Sequence, residues 1–154
     1  MPSRVYLVRH AKAEKEPPEG ERGDAARRLT PHGRALFFAL ARTLVPDLGV
    51  TRVLSSPFAR ARETAEIVAA LARAPLDEEP LLASGASTGR ALLELARRAG
   101  AGAALVGHNP ELAEAVALAA GAEQKVRPGT VAALDLSPRG GVSLAWLEAP
   151  GEEG

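Results

Sequence analysis

At Thr30-Pro31, Ser56-Pro57 and Asn109-Pro110 a residue suited to cap a helix stands directly before a proline, and apolar residues at helical spacing follow each pair. Proline fits the first turn of a helix, where its missing N–H has no partner to lose, and is expelled from the interior. Three helix starts are thereby expected. Ahead of them lie short strand-like runs at 5–8, 52–54 and 103–106, and apolar runs of that length suit strands covered on both faces. The second and third runs feed their helices directly. Between the first run and Thr30, residues 11–28 carry mixed charge with Pro17, Pro18, Gly20 and Gly23, a composition that buries too little to order itself and predicts a mobile loop.

Apolar spacing orients each helix. In "LTPHGRALFFALARTL", Leu36, Leu40 and Leu44 recur every four residues beside Phe37, with the end near Pro46. Ala61, Ala65, Val68 and Leu71 face inward in the second helix, and Leu112, Ala115, Val116 and Ala119 in the one after Pro110. A weaker strand is expected at 79–82, then a helix over 90–99 with Leu92, Leu95 and Ala96 inward. "TVAALDLSPRGGVSLAWL" reads as two antiparallel strands around a Ser-Pro-Arg-Gly-Gly turn, closing one edge of a sheet, and 152–154 should fray. Strands alternating with helices predict a three-layer α/β/α sandwich with a mostly parallel sheet and an antiparallel C-terminal edge hairpin. At 154 residues, one domain spanning 1–154 is expected.

Composition removes several function classes. Without cysteine there are no disulfides, thiolate metal sites or thiol nucleophiles. A formal net charge of zero and few aromatics argue against a nucleic-acid partner. No apolar run approaches the roughly 18–20 residues that cross a bilayer, and "MPSRVYLV" lacks the features of a signal peptide, so the expected location is the cytoplasm, with no membrane partner. Oligomeric state has no signal in the sequence.

Ligands of open α/β sheets bind beyond the carboxyl ends of the strands. Arg9 and His10 leave the first strand, Ser56 and, one turn into its helix, Arg60 leave the second, and His108 and Asn109 leave the third. Helical side chains lean toward the N-terminus, so Arg60 can reach back over the same rim. Neighbours on a regular strand point to opposite faces, and a strand ending at Val8 is expected to let Arg9 and His10 share a pocket. Two arginines and two histidines around helix N-termini make an anion site, with phosphate the natural guest. A metal is disfavoured, because no ligand motif accompanies His10, His32 and His108 and two guanidiniums would repel a divalent ion. No cofactor is implied. Positive neighbours keep His10 neutral and nucleophilic, while His108 can donate to an oxygen of the transferring group. Plainer roles are expected elsewhere: Ser55 and Ser56 as turn and cap, Arg62 paired with Glu66, His32 at a helix start, and Lys12, Arg27 and Arg28 as solvated charge.

"LVRHAKA" resembles the nucleophile motif Arg-His-Gly of the histidine phosphatase superfamily, also called phosphoglycerate-mutase-like, with Ala11 in place of the glycine. "SSPFARARETAE" is similar to its Ser-x-x-x-Arg-Ala-x-x-Thr-Ala helix, and "LVGHNP" supplies the second histidine. The resemblance implies a phosphoglycerate-mutase-like fold, a phosphohistidine intermediate on His10, and a phosphate held by Arg9, Arg60 and His108, with Asn109 as a further substrate contact. Within the superfamily, "DAARRLTPHG" and the short segment before His108 resemble small bacterial phosphohistidine phosphatases of the SixA type, which implies an open, shallow pocket.

One departure bears on substrate. Relatives that cleave esters use a carboxylic acid as proton donor, yet "PLLASGAS" offers none at the aligned place and the residue after His108 is Asn109. Asp24 is left as a possible donor. Imidazole leaves phosphorus with less need of a proton than an alkoxide, for which a general acid is worth roughly 10²- to 10⁴-fold. The expected activity is therefore metal-independent hydrolysis of phosphohistidine in a partner protein. The alternatives are hydrolysis of a small phosphate ester, or a phosphate-binding module without turnover.

Overall fold

Along β1 (Ser3–Arg9), Val5 and Leu7 pack into one apolar layer and Tyr6 and Val8 into another, and all four are buried. A strand apolar on both sides must be covered on both, which explains why the run shows no alternation. The computed structural model describes residues 3–151, so the fraying expected of 152–154 lies outside the described residues. The other strands are β2 (Arg52–Ser55), β3 (Leu76–Glu78), β4 (Ala103–Gly107), β5 (Val131–Leu136) and β6 (Val142–Glu148). They form one sheet in the order β3-β2-β4-β1-β5-β6. The first four are parallel, β5 runs antiparallel to β1, and β6 antiparallel to β5.

Helices α1 (Pro31–Leu44) and α2 (Ala59–Ala72) cover the face that carries Tyr6 and Val8, through Phe37, Ala41, Ala61, Ala65 and Val68. Helices α3 (Gly89–Ala99) and α4 (Glu111–Ala120) cover the face of Val5 and Leu7, through Leu92, Leu95, Leu112 and Val116. The expected three-layer sandwich with its antiparallel edge hairpin is present. Among the described residues no helix is long and apolar enough to cross a membrane. The chain reaches β2 before β4, yet β4 lies between β1 and β2, so the winding reverses there and the carboxyl ends part around a crevice.

Several local expectations are corrected. Thr30 does cap α1, its Oγ1 accepting the Gly33 N–H at 2.8 Å, but the other two proline-led starts differ. α2 begins at Ala59 with Phe58 in the cap place, and α4 begins at Glu111 with Pro110 there. Ser56 and Asn109 therefore stand before the cap places, although Asn109 still serves the first turn of α4. Asn109 Nδ2 donates to the Val126 carbonyl at 3.0 Å, and its Oδ1 accepts the Ala113 N–H at 3.2 Å. The strand expected at 79–82 lies earlier, as β3, and Pro80–Leu82 is instead a 3₁₀ turn that sinks Leu82 into the core. Proline cannot donate to a ladder, which accounts for the shift. Arg62 pairs with Glu78 at the end of β3 rather than with Glu66. In α1, Leu36, Leu40 and Leu44 are half-buried and the buried centre runs through Phe37 and Ala41. The loop after β1 is tied at its ends: Ala13 bridges Leu29, and the Glu14 N–H donates to the Arg28 carbonyl at 2.7 Å.

Candidate active site

Three strand ends are brought level by the sheet itself. β1 and β4 are in register through Arg9 and Gly107, and the ladder goes on past the strand as the His10 N–H donates to the Gly107 carbonyl at 3.0 Å. On the other side of β4, the Ser56 N–H donates to the Val106 carbonyl at 2.9 Å. His10, Ser56 and His108 thus stand along one rim. β1 runs through Arg9 rather than stopping at Val8. Arg9 is held from the far side, its N–H on the Thr130 carbonyl and its Nη1 on the Val126 carbonyl, both at 3.0 Å.

The two imidazoles lie 5.2 Å apart between ring centres, and only 8% of His10 and 2% of His108 is exposed. His10 Nδ1 sits 2.6 Å from the Ala11 carbonyl. A carbonyl can only accept, so Nδ1 carries the proton and Nε2 keeps its lone pair. Burial pushes the His10 pKa down to about 4; the bond to Ala11 opposes this, and the charges of Arg60, Arg9 and Arg27 add to it. Burial, His10 and Arg60 push His108 down to about 3, against an opposing pull from Asp24. Both rings are neutral at neutral pH. The guanidinium of Arg9 is also lowered, by burial and by Arg60.

Arg60, 5% exposed, arrives from the first turn of α2 and stands 5.3 Å above the Phe58 ring. Its Nη1 donates to the Asp24 carbonyl at 2.8 Å and its Nη2 to Asp24 Oδ2 at 2.9 Å. Asp24 Oδ1 accepts from Arg27 at 2.7 Å. The hydrogen bond from Arg27, and then that from Arg60, hold the Asp24 carboxyl below its ordinary pKa although the side chain is 52% exposed. Asp24 therefore reaches the rim as an ionised carboxylate, with no proton to give at neutral pH. Asn109 stands beside His108 with both ends of its amide engaged by backbone.

Among the described residues, Arg9 Nε, His108 Nδ1, Ser87 Oγ and Thr130 Oγ1 are buried without a hydrogen-bond partner. A buried polar group left unpaired costs about 1–3 kcal/mol, so an anion supplying acceptors to the first two is favoured.

Two further residues shape the site. Thr64, fully buried, accepts the Ala11 N–H at 3.0 Å and donates to the Arg60 carbonyl at 2.8 Å, which fastens the segment after His10 to the helix that carries Arg60. Ser56 Oγ lies 2.8 Å from His108 Nε2. Both stand in the Ser-x-x-x-Arg-Ala-x-x-Thr-Ala pattern, which was the available signal. Gly33 lets α1 close on the same segment, since a Cβ there would come within 2.6 Å of the Lys12 carbonyl oxygen. The region before α3 is held by carboxylates from α4: Glu111 accepts the Gly85 N–H at 3.3 Å and Glu114 the Gly89 N–H at 3.1 Å.

The family model for the histidine phosphatase superfamily (branch 1) matches residues 5–101, more than half of the chain. No curated protein sequence matches it. Among solved structures, the SixA protein of Agrobacterium tumefaciens is 27% identical with a TM-score of 0.81, over 97% of this chain and 99% of that one. A protein histidine phosphatase SixA complexed with tungstate is 24% identical with a TM-score of 0.80, over 96% and 97%. A phosphoserine phosphatase of Entamoeba histolytica, in complex with 3-phosphoglyceric acid, shares the fold at 14% identity and a TM-score of 0.70, over 95% and 96%. The matched segment contains Arg9, His10 and Arg60, the structural similarity runs on through His108, and the chain belongs to the histidine phosphatase superfamily, as one of its enzymes.

Proposed function

We propose that the protein hydrolyses phosphohistidine in a partner protein through a covalent phosphohistidine on His10. His10 Nε2, neutral and holding its lone pair, attacks phosphorus as the P–N bond to the substrate imidazole breaks. The leaving imidazole takes a proton from solvent. Water then attacks the phosphorus on His10, orthophosphate departs, and the ring returns to its first state. Arg9 and Arg60 neutralise the phosphoryl oxygens, and His108 donates to one of them. Asn109 positions His108 and the chain around it, since its amide is committed to backbone.

The observation that carries the choice of substrate is the state of Asp24. The carboxyl group that reaches the rim is ion-paired and deprotonated. An alkoxide needs a general acid where imidazole, with a conjugate-acid pKa near 6.5, needs little help. The 27% identical SixA protein of A. tumefaciens, described by its name as a phosphohistidine phosphatase, supports the same reading.

The test sets turnover of a phosphohistidine-bearing protein beside that of an alkyl phosphate, with and without a chelator, and maps the trapped label. Acid-labile, alkali-stable phosphate on His10, faster P–N cleavage and indifference to chelation are expected. Label on another residue overturns the mechanism, faster ester cleavage overturns the substrate, and activity restored only by a divalent ion overturns metal independence.

A further inference from the structure

Ser56 is fully buried, and its hydroxyl touches one of the two histidines. The oxygen accepts the Phe58 N–H at 3.1 Å and lies 2.8 Å from His108 Nε2; among the described residues these are its two contacts. A serine hydroxyl has one proton to give and two lone pairs to receive. The backbone N–H of Phe58 occupies one lone pair and cannot accept. Were His108 protonated on Nε2, that proton would take the second lone pair and the serine proton would be stranded in a buried place, at a cost of about 1–3 kcal/mol. The remaining arrangement leaves one group unpaired instead of two, because Nδ1 lacks a partner in either tautomer and only here is the serine proton used. The serine proton goes to Nε2, and the ring's own proton sits on Nδ1, the atom that is buried without a partner.

We propose that Ser56 is a positioning residue: its hydroxyl donates to His108 Nε2, holds the neutral ring as the Nδ1–H form, and so keeps a donor ready for an oxygen of the transferring phosphoryl group. The last step rests on the function proposed above; the proton position does not. The two histidines then carry the same tautomer to opposite ends. On His10 the Ala11 carbonyl occupies Nδ1–H and leaves a lone pair on Nε2. On His108 the Ser56 hydroxyl occupies the lone pair of Nε2 and leaves Nδ1–H. The other tautomer of His108 would present a lone pair to phosphoryl oxygens and repel them. Phe58 supports the arrangement twice, since its N–H anchors Ser56 and its ring meets the His108 ring edge-on at 5.1 Å.

The experiment is a long-range ¹H–¹⁵N correlation spectrum of the phosphate-free, ¹⁵N-labelled protein at pH 7, where the bare and protonated nitrogens of a neutral imidazole resonate far apart. The expected result is a protonated Nδ1 on His108. A protonated Nε2 in the unaltered protein overturns the proposal by itself, whether or not any variant folds. In Ser56→Ala the Nδ1–H population should drop, with kcat falling roughly 10²-fold, inside the 10²- to 10³-fold range for loss of one transition-state donor, and KM changing much less. Ser56→Thr, which keeps the hydroxyl, should restore the tautomer. Ser55→Ala removes an equally buried hydroxyl bonded to the Ser56 carbonyl and should leave the His108 tautomer alone. An unchanged tautomer in Ser56→Ala overturns the proposal even if the rate falls. Failure to label His10, with Nδ1–H intact on His108, would strike the proposed function and spare this inference.

Discussion

His10 and His108 on one side of the rim, and Asp24 on the other, are held by different physics. The histidines follow directly on β1 and β4, whose ladder carries on through the His10 N–H, and they are almost wholly buried. Asp24 lies in a 3₁₀ turn of three residues on an exposed loop, positioned by ion pairs to Arg27 and Arg60. The solvent-facing pair with Arg27 contributes about 0–1 kcal/mol, against the cooperative unfolding needed to move a central strand. On the proposed mechanism, the groups whose position must be accurate for bond-making thus sit on the stiff side. The adjustable side holds the counter-charge, and Arg60 joins them with its backbone in α2 and both terminal nitrogens on Asp24.

The largest effect that could break this contrast is at His10. His10→Ala should lower kcat by roughly 10⁴-fold or more in single-turnover assays, as loss of a nucleophile does. A residual rate within tenfold of the unaltered protein would remove the stiff side from the chemistry. Arg60→Ala should come next, at roughly 10²- to 10³-fold, and Arg60→Lys should recover only part of the loss because an ammonium lacks the forked donors.

A pH profile sharpens the electrostatics. Because burial and neighbouring charge hold His10 at about 4, kcat/KM should stay level as pH falls through 6 and decline only near 4. An ordinary imidazole would lose its lone pair from about 6.5 downward, so a limb near 6.5 would contradict the buried, charge-flanked site. Folding stability follows the opposite partner. The unfolded chain takes up protons at these histidines near 6.5 and the folded chain does not, so their contribution is complete above about 6.5 and is lost as pH falls toward about 4 for His10 and about 3 for His108. Urea midpoints measured across that window should fall accordingly.

The smallest change is expected at Asp24. Asp24→Asn should alter phosphohistidine turnover by less than about tenfold and tighten inhibition by orthophosphate, because the carboxylate no longer competes for Arg60. A fall of roughly 10²- to 10⁴-fold confined to an ester substrate would instead make Asp24 a proton donor and put chemistry on the adjustable side.

What could be read from the sequence follows the same division. Thr30, Phe37 and the run 5–8 were legible because cap chemistry and apolar patterning are local properties that the sheet did not need to overrule. Asn109 keeps a cap's contact from one place further out, its Oδ1 accepting the Ala113 N–H in the first turn of α4, whereas Ser56 misled because a hydroxyl also goes to the partner that folding brings nearest. For Ser56 that partner lies 52 positions away, at His108. Arg62 is similar, since helical spacing pointed to Glu66 while the end of β3 supplied Glu78. Asp24 could be read as a carboxylate belonging to the site, whereas its pairing with Arg60 and its ionised state depend on Arg27 and Arg60 converging on it.

The place of β1 between β4 and β5 has a consequence for how the protein is made. Synthesis delivers β1 first, while its neighbours arrive about 95 and 125 residues later, at Ala103–Gly107 and Val131–Leu136. Until then the apolar run 5–8 is an unpaired strand with two open edges, a hazard for association with other nascent chains. The strand that leads into His10 is therefore made before the other strands of the sheet and is one of the last to be enclosed. A chain halted at residue 125 would already contain His10, Arg60 and His108, yet would lack the Val126 and Thr130 carbonyls that hold Arg9.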